Sequence, residues 1–414
     1  IKIQWFYIES KNLMLFDTER HELLTVTLWD HNVVQKEVIS IINDIEQSLL
    51  PNACWPTHPL DAESYPRVGP KWSAYAGAAG AIHGLQILKN YGYDVRDLSH
   101  LLEDVHSSFI KSPDVSVESG LQIGEIGILV PRLLAEPDNQ EVSQYLLKCM
   151  EETVDLPLYE ITSGQSGMMH AALALYRNTG DICWKSIFIK GAKSLMDNWK
   201  EDTETGEWHW QSQVFGLKRH YYGACHGISG NANILLQGID LLPSSYSEVI
   251  INRTISTLNI SAKREANLTN WVLCTKPNID KLLVQWCHGA AGIVTAMAMT
   301  PKDNSSNSKL LDELLESTGE LVWQAGPLVK GSNICHGTSG NGYAFLYLYK
   351  RTGNSIWLDR ARKFAIHAIE QCKRDRLHYG QGRYTLWTGD AGLAIYLHHC
   401  LHPENSAIPG LDLF

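Results

Sequence analysis

Three segments of the sequence read Cys-His-Gly: Cys225-His226-Gly227, Cys287-His288-Gly289 and Cys335-His336-Gly337. Thiolate and imidazole together make a donor set that suits zinc, a d10 ion content with mixed sulfur and nitrogen ligands. The spacing is not the Cys-x-x-Cys of a structural zinc finger, so adjacency alone is a weak signal. Small cysteines also serve as packing residues at crowded helix starts. What favours metal is recurrence, because the triplets stand at equivalent points of three consecutive repeat units. Spacing offers six candidate ligands and does not choose among them.

The repeat that would bring them together is a Gly-x-x-Gly element. It occurs seven times, at Gly77–Gly80, Gly124–Gly127, Gly164–Gly167, Gly227–Gly230, Gly289–Gly292, Gly337–Gly340 and Gly389–Gly392, with copies 40 to 63 residues apart. An apolar stretch follows each copy. After Gly167 and after Gly340 it runs 13 positions to Gly180 and Gly353. A helix of that length is roughly 18 Å long, and apolar character nearly all round means burial on all sides. The next segment differs: Trp357, Ala361, Phe364, Ala368, Ile369 and Cys372 form one stripe, with Asp359, Arg360, Arg362, Lys363 and Glu370 opposite. That pattern predicts an amphipathic outer helix, capped by Asn354 or Ser355.

Inner helix, turn and outer helix repeated seven times predict an all-α chain, an α/α toroid with seven inner and seven outer helices. The glycines are expected to permit tight turns at one rim, where all seven motifs would meet. An open solenoid is the competing arrangement, but it would wet one face of each apolar helix. Residues 1–65 lack the repeat and read as a short irregular extension packed on a toroid of residues 66–414. Within the extension, Leu23–Leu28 has β character and Val33–Leu50 reads as an amphipathic helix.

The segments around the triplets resemble the signature segments of the lanthionine synthetase C-like family. They are Tyr222-Gly-Ala-Cys-His-Gly-Ile-Ser-Gly, Trp286-Cys-His-Gly-Ala-Ala-Gly and Ile334-Cys-His-Gly-Thr-Ser-Gly. The resemblance covers about residues 70 to 414 and all seven repeats. It implies that Cys287, Cys335 and His336 hold Zn²⁺ and that His226 is the active-site histidine, with Cys225 replacing a family alanine as a packing residue. It further implies a catalytic role for Glu160, where lantibiotic cyclases carry Asp and eukaryotic-type relatives Glu. Lys330 and Arg383 correspond to glutathione-binding residues of those relatives. Leu283 departs from the cyclases, which carry Arg four before the first zinc cysteine.

The implied activity is addition of a thiol, from a peptide cysteine or glutathione, to dehydroalanine or dehydrobutyrine in a peptide or protein. Two thiolate ligands leave a zinc-bound thiol ionised yet nucleophilic, and His226 could protonate the resulting enolate. A non-catalytic zinc protein that binds glutathione or a cysteine-containing peptide is the alternative. A toroidal glycosidase would need paired rim carboxylates, where this sequence has Cys and His.

Composition narrows the partners. The 414 residues are 44% hydrophobic and 19% charged with net charge −10, and no basic run stands out, which argues against nucleic acid. No apolar stretch reaches the length of a membrane span. Nine cysteines, an odd count in a long chain, argue for free thiols and a cytoplasmic setting. The chain begins at Ile1 rather than Met, so a targeting segment stays open.

Overall fold

A computed structural model describes residues 14–64, 69–114, 119–214, 217–275, 279–412 and 414. After α1 (His31–Gln47) and α2 (Pro59–Ser64), inner and outer helices alternate. They are α3 (Ala78–Asn90) and α4 (Leu102–Lys111), α5 (Ile126–Ala135) and α6 (Gln140–Val154), and α7 (Gln165–Thr179) and α8 (Ile182–Asp197). Then follow α9 (Ile228–Gln237) and α10 (Ser245–Ser261), α11 (Ala290–Met297) and α12 (Ser306–Ala325), α13 (Thr338–Thr352) and α14 (Ser355–Tyr379), and finally α15 (Asp390–Leu401).

Each inner helix touches the next, and α15 touches α3, so the inner ring is closed. The fold is the expected α/α toroid. Its inner helices are buried on every side: all twelve residues of α15 are shielded from solvent. The outer helices bury one stripe, and the six residues from Trp357 to Cys372 named above all face inward. Arg360 departs from its expected place on the wet face. It is buried, pairs with Glu320 at 2.7 Å and lies over the rings of Trp323 and Trp357. Asn354, not Ser355, caps α14 by accepting from Ile356 N.

The seventh outer position is filled from the start of the chain. Helix α1 packs on α15 and buries Val34, Val38, Ile41, Ile42 and Ile45. Leu23–Leu28 forms no strand; it lies against α14, with Leu23, Val26 and Leu28 exposed and Thr25 and Thr27 hydrogen-bonded to Glu370.

Two intervals of the repeat are the longest, at 63 and 62 residues, and both contain antiparallel hairpins. Between α8 and α9 lie β1 (Lys200–Asp202) with β2 (Glu207–His209), and β3 (Ser212–Val214) with β4 (Leu217–Arg219). Between α10 and α11 lie β5 (Lys263–Glu265) with β6 (Leu268–Asn270), and β7 (Val272–Cys274) with β8 (Ile279–Leu282). A bridge between Tyr221 and Cys274 joins the two insertions just ahead of the first two Cys-His-Gly triplets.

The motif glycines work by close approach. Six of the inner helices have a first motif glycine as N-cap, all with extended backbone (φ −110° to −165°) and no side-chain cap. The loop itself supplies the missing acceptors: Thr338 N donates to Gly331 O at 2.9 Å and Ala78 N to Lys71 O at 2.9 Å. Such bonds satisfy helix N–H groups that would otherwise be orphaned. The second glycine makes room for the loop to fold back. At Gly340 a Cβ would fall on the carbonyl oxygen of Ile334, six residues earlier, and the same clash recurs at the other six copies.

Candidate metal centre

One residue stands two positions before each first motif glycine: Tyr75, Gln122, Thr162, Cys225, Cys287, Cys335 and Trp387. Backbone hydrogen bonds tie these positions into a belt around the rim. Tyr75 N donates to Gln122 O (2.8 Å) and Gln122 N to Thr162 O (2.9 Å); Cys225 N donates to Cys287 O (3.2 Å), Cys287 N to Cys335 O (3.0 Å) and Cys335 N to Trp387 O (3.0 Å). This belt is why residues far apart in sequence converge.

The structure brings Cys287, Cys335 and His336 together, with donor atoms all within 4.8 Å of one another. Both cysteines are buried and His336 is half-buried. Hydrogen bonding with Cys335 draws the Cys287 thiol down to about 7; burial opposes this, and Gln285, His226 and Lys330 assist it. The same bond, with burial, pushes Cys335 up. Burial, then the charges of Arg383, Lys330 and Arg20, lower His336 to about 3, so its lone pair is free to bind metal. Two sulfurs that favour sharing a single proton, beside a neutral imidazole, fit a thiophilic divalent ion such as zinc.

Beside this set lies a second group. His226 Nδ1 donates to Glu160 Oε2 at 2.8 Å, and both residues are buried. Glu160 also accepts from Thr162 N at 2.7 Å and from Ser163 N at 2.6 Å. Burial works against a charged His226, but Cys225 and Glu160 outweigh it and hold the imidazole well above its usual 6.5. His288 stacks on His226 with centroids 4.8 Å apart; burial, then His226, keeps it neutral. The site thus combines soft donors with a buried proton carrier.

Lys330 and Arg383 line one polar recess with His58, Asn333 and Thr388. Lys330 is exposed. Arg383 is committed to a two-pronged pair with Asp61 of α2, with Nε 2.9 Å from Oδ2 and Nη2 bound to Oδ1. Cys225 sits at the belt position with its sulfur 3.1 Å from Thr162 Oγ1, and Leu283 is buried.

Three further side chains reach the sulfurs or their partners. Tyr75 OH donates to Cys335 Sγ at 3.0 Å. Gln285 Nε2 donates to Cys287 Sγ at 2.9 Å, and Arg20 Nη2 donates to Gln285 Oε1 at 3.0 Å. Aligning the motif two residues before its first glycine would have found Tyr75. No pattern in the sequence marks Arg20.

A family model described as lanthionine synthetase C-like protein matches residues 59–413. Among curated proteins, "Glutathione S-transferase LANCL1" of Danio rerio is 31% identical over 197 residues, 47% of this chain and 47% of that protein. "LanC-like protein GCL1" of Arabidopsis thaliana is 29% identical over 201 residues, 47% of this chain and 43% of that protein. The chain spans about half the length of the curated relatives it matches. Among solved structures, nisin cyclase superposes with a TM-score of 0.63 at 15% identity, covering 92% of this chain and 96% of that one. That likeness is one of fold.

Proposed function

The chain belongs to the lanthionine synthetase C-like family, and from that premise we propose that it is a zinc-dependent enzyme that forms thioethers. The family supports a lanthionine-cyclase-like or glutathione-related function in general. The finer reading is addition of a thiol, from a peptide cysteine or glutathione, to dehydroalanine or dehydrobutyrine in a peptide or protein. The observation that carries it is the meeting of Cys287, Cys335 and His336 within 4.8 Å beside the buried His226–Glu160 pair.

Zinc held by this set would supply the means to ionise an incoming thiol near neutral pH while leaving it nucleophilic. The protein's own groups do the rest. A new C–S bond at the β-carbon moves the alkene electrons onto the α-carbon and its carbonyl, and His226 delivers a proton to the α-carbon. Glu160 fixes the imidazole's orientation and favours its protonated form. The thiol's own proton balances the one that His226 gives up. Lys330 and the Arg383 N–H groups not engaged by Asp61 would receive carboxylates of glutathione.

Glu160 and Leu283, both departures from the lantibiotic cyclases, favour a broad thiol addition over ring closure on a dedicated precursor. Among the described residues no helix is long and apolar enough to cross a membrane. An odd count of nine cysteines in a long chain supports a cytoplasmic location as part of the same proposal. The test is incubation of the zinc-loaded protein with a dehydroalanine peptide and either glutathione or an internal cysteine. A zinc-dependent mass gain of one glutathione, or a ring that blocks alkylation, is expected. Tight metal with no adduct from either thiol would replace the enzyme by a binding protein.

A further inference from the structure

We propose that Tyr75 and Gln285 are positioning residues that set the electron density of the two metal-binding sulfurs, and that Arg20 holds Gln285 in the orientation this requires. The inference rests on the zinc reading above. Each sulfur has its own donor: Tyr75 OH on Cys335 at 3.0 Å and Gln285 Nε2 on Cys287 at 2.9 Å. Hydrogen bonds to an anionic acceptor are stronger than those between neutral groups. They draw charge away from sulfur, so a metal bound there keeps more of its own positive charge for a fourth ligand. Groups that bond to metal ligands tune a site in this way.

The Gln285 arrangement is directional. A carboxamide presents either oxygen or NH₂ to the sulfur, and the two ends differ little in shape. Arg20 breaks the tie. A guanidinium only donates, so its contact with Gln285 Oε1 at 3.0 Å turns the NH₂ towards Cys287. Without Arg20, the amide could rotate and point its oxygen at an anionic sulfur.

Arg20 is itself pinned. Glu22 N donates to Pro327 O at 2.8 Å, Val329 N donates to Arg20 O at 3.1 Å, and His21 bridges Leu328. A segment outside the repeat is thereby fastened to the loop that leads into Cys335 and reaches across to the sulfur of Cys287. Gln285 is 5% exposed, and Arg20 and Cys287 account for both ends of its amide. A mere filler of that space would not need such matching.

The test uses the full chain loaded with Co²⁺, whose sulfur-to-metal charge-transfer absorption reports electron density at the ligands. Tyr75→Phe and Gln285→Leu should each move that band to longer wavelength at unchanged cobalt stoichiometry. Arg20→Met should move it the same way, and Arg20→Lys, which still only donates, should move it less. Zinc affinity should fall about 10- to 100-fold in Tyr75→Phe and Gln285→Leu. Unmoved bands in both Tyr75→Phe, which loses a single oxygen, and Gln285→Leu would overturn the inference and leave the zinc reading intact. Failure of the unaltered chain to bind cobalt or zinc would instead sink the zinc reading and the inference with it.

Discussion

Glu160 and His226 are 66 residues apart in sequence, and their side chains meet at 2.8 Å with both groups buried. The carboxylate does two jobs at once. It accepts from His226, and it accepts from the backbone N–H groups of Thr162 and Ser163, which shape its own loop. Burial alone would raise the Glu160 carboxyl; hydrogen bonds from His226 and the two backbone groups reverse that and lower it.

This coupling has a definite pH signature. His226 is held above its usual 6.5, so its contribution to stability is complete below that value and is lost as pH rises through the raised one. Glu160 is held below its usual 4.5, so its share is complete above that value and is lost as pH falls through the lowered one. Between those limits the pair is ionic and His226 can act as an acid. Glu160→Gln should therefore move the alkaline fall of kcat to lower pH. His226→Asn should retain zinc and lose about 10²- to 10⁴-fold in rate, the usual worth of a positioned acid. A full rate in His226→Asn would remove the residue from the chemistry.

The metal assignment is tested without any substrate. Cys335→Ala removes one of two sulfurs and leaves a cavity where the third protein ligand should be. Elemental analysis after dialysis should find less than about a tenth of the zinc of the unaltered protein, given the weight of each ligand in such a site. Cys225→Ala should keep its zinc, because the Cys225 sulfur bonds to Thr162 and lies outside the Cys287–Cys335–His336 group. Equal retention by both variants would sink the ligand set.

The repeats made the ring legible, because each second glycine has the same neighbour to avoid and so leaves the same mark in the chain. The recurrence of Cys-His-Gly at equivalent points of the repeat made the meeting of Cys287, Cys335 and His336 legible in the same way. What periodicity could not show was how the ring is completed. The apolar stripe of Val33–Leu50 predicts a helix with one buried face, but not that α1 will lie against α15. Nor does any local pattern announce the hairpins, since strands of three or four residues are too short to show alternation. Arg20 was invisible because its partner Gln285 is 265 residues away and its own segment has no repeat.

Arg383 offers a case where a charged residue has two candidate duties. Its pairing with Asp61 joins α2 to the loop before α15, with Thr388 Oγ1 also donating to Asp61 at 3.1 Å. Asp61→Ala leaves a largely buried guanidinium without its partner, and should cost about 3–5 kcal/mol of stability. Arg383→Met should cost less, since the Asp61 carboxylate it leaves still accepts from Thr388 Oγ1. If Arg383 also receives glutathione, Arg383→Met should weaken glutathione binding at temperatures where it remains folded. Unchanged glutathione affinity in that variant would confine Arg383 to its structural pair.

The two kinds of glycine in one repeat separate close packing from backbone conformation. Gly353 ends α13 in the left-handed region at φ 69° with open space around it. Alanine there meets nothing and should cost about 1 kcal/mol, the price of the conformation. Gly340 lies within the same helix with helical backbone, yet its Cβ would overlap the carbonyl oxygen of Ile334 and crowd the Cβ of Trp286 at 2.9 Å. A backbone carbonyl cannot swing aside as a side chain can, so Gly340→Ala should cost at least about 3 kcal/mol. Ile334 immediately precedes Cys335, so the displaced loop should also loosen zinc. Urea unfolding together with zinc competition separates the two: Gly353→Ala should lose a little stability and no zinc affinity, and Gly340→Ala should lose both. Equal, small effects at the two positions would mean that the fold-back of the loop onto the helix start is not what the motif encodes.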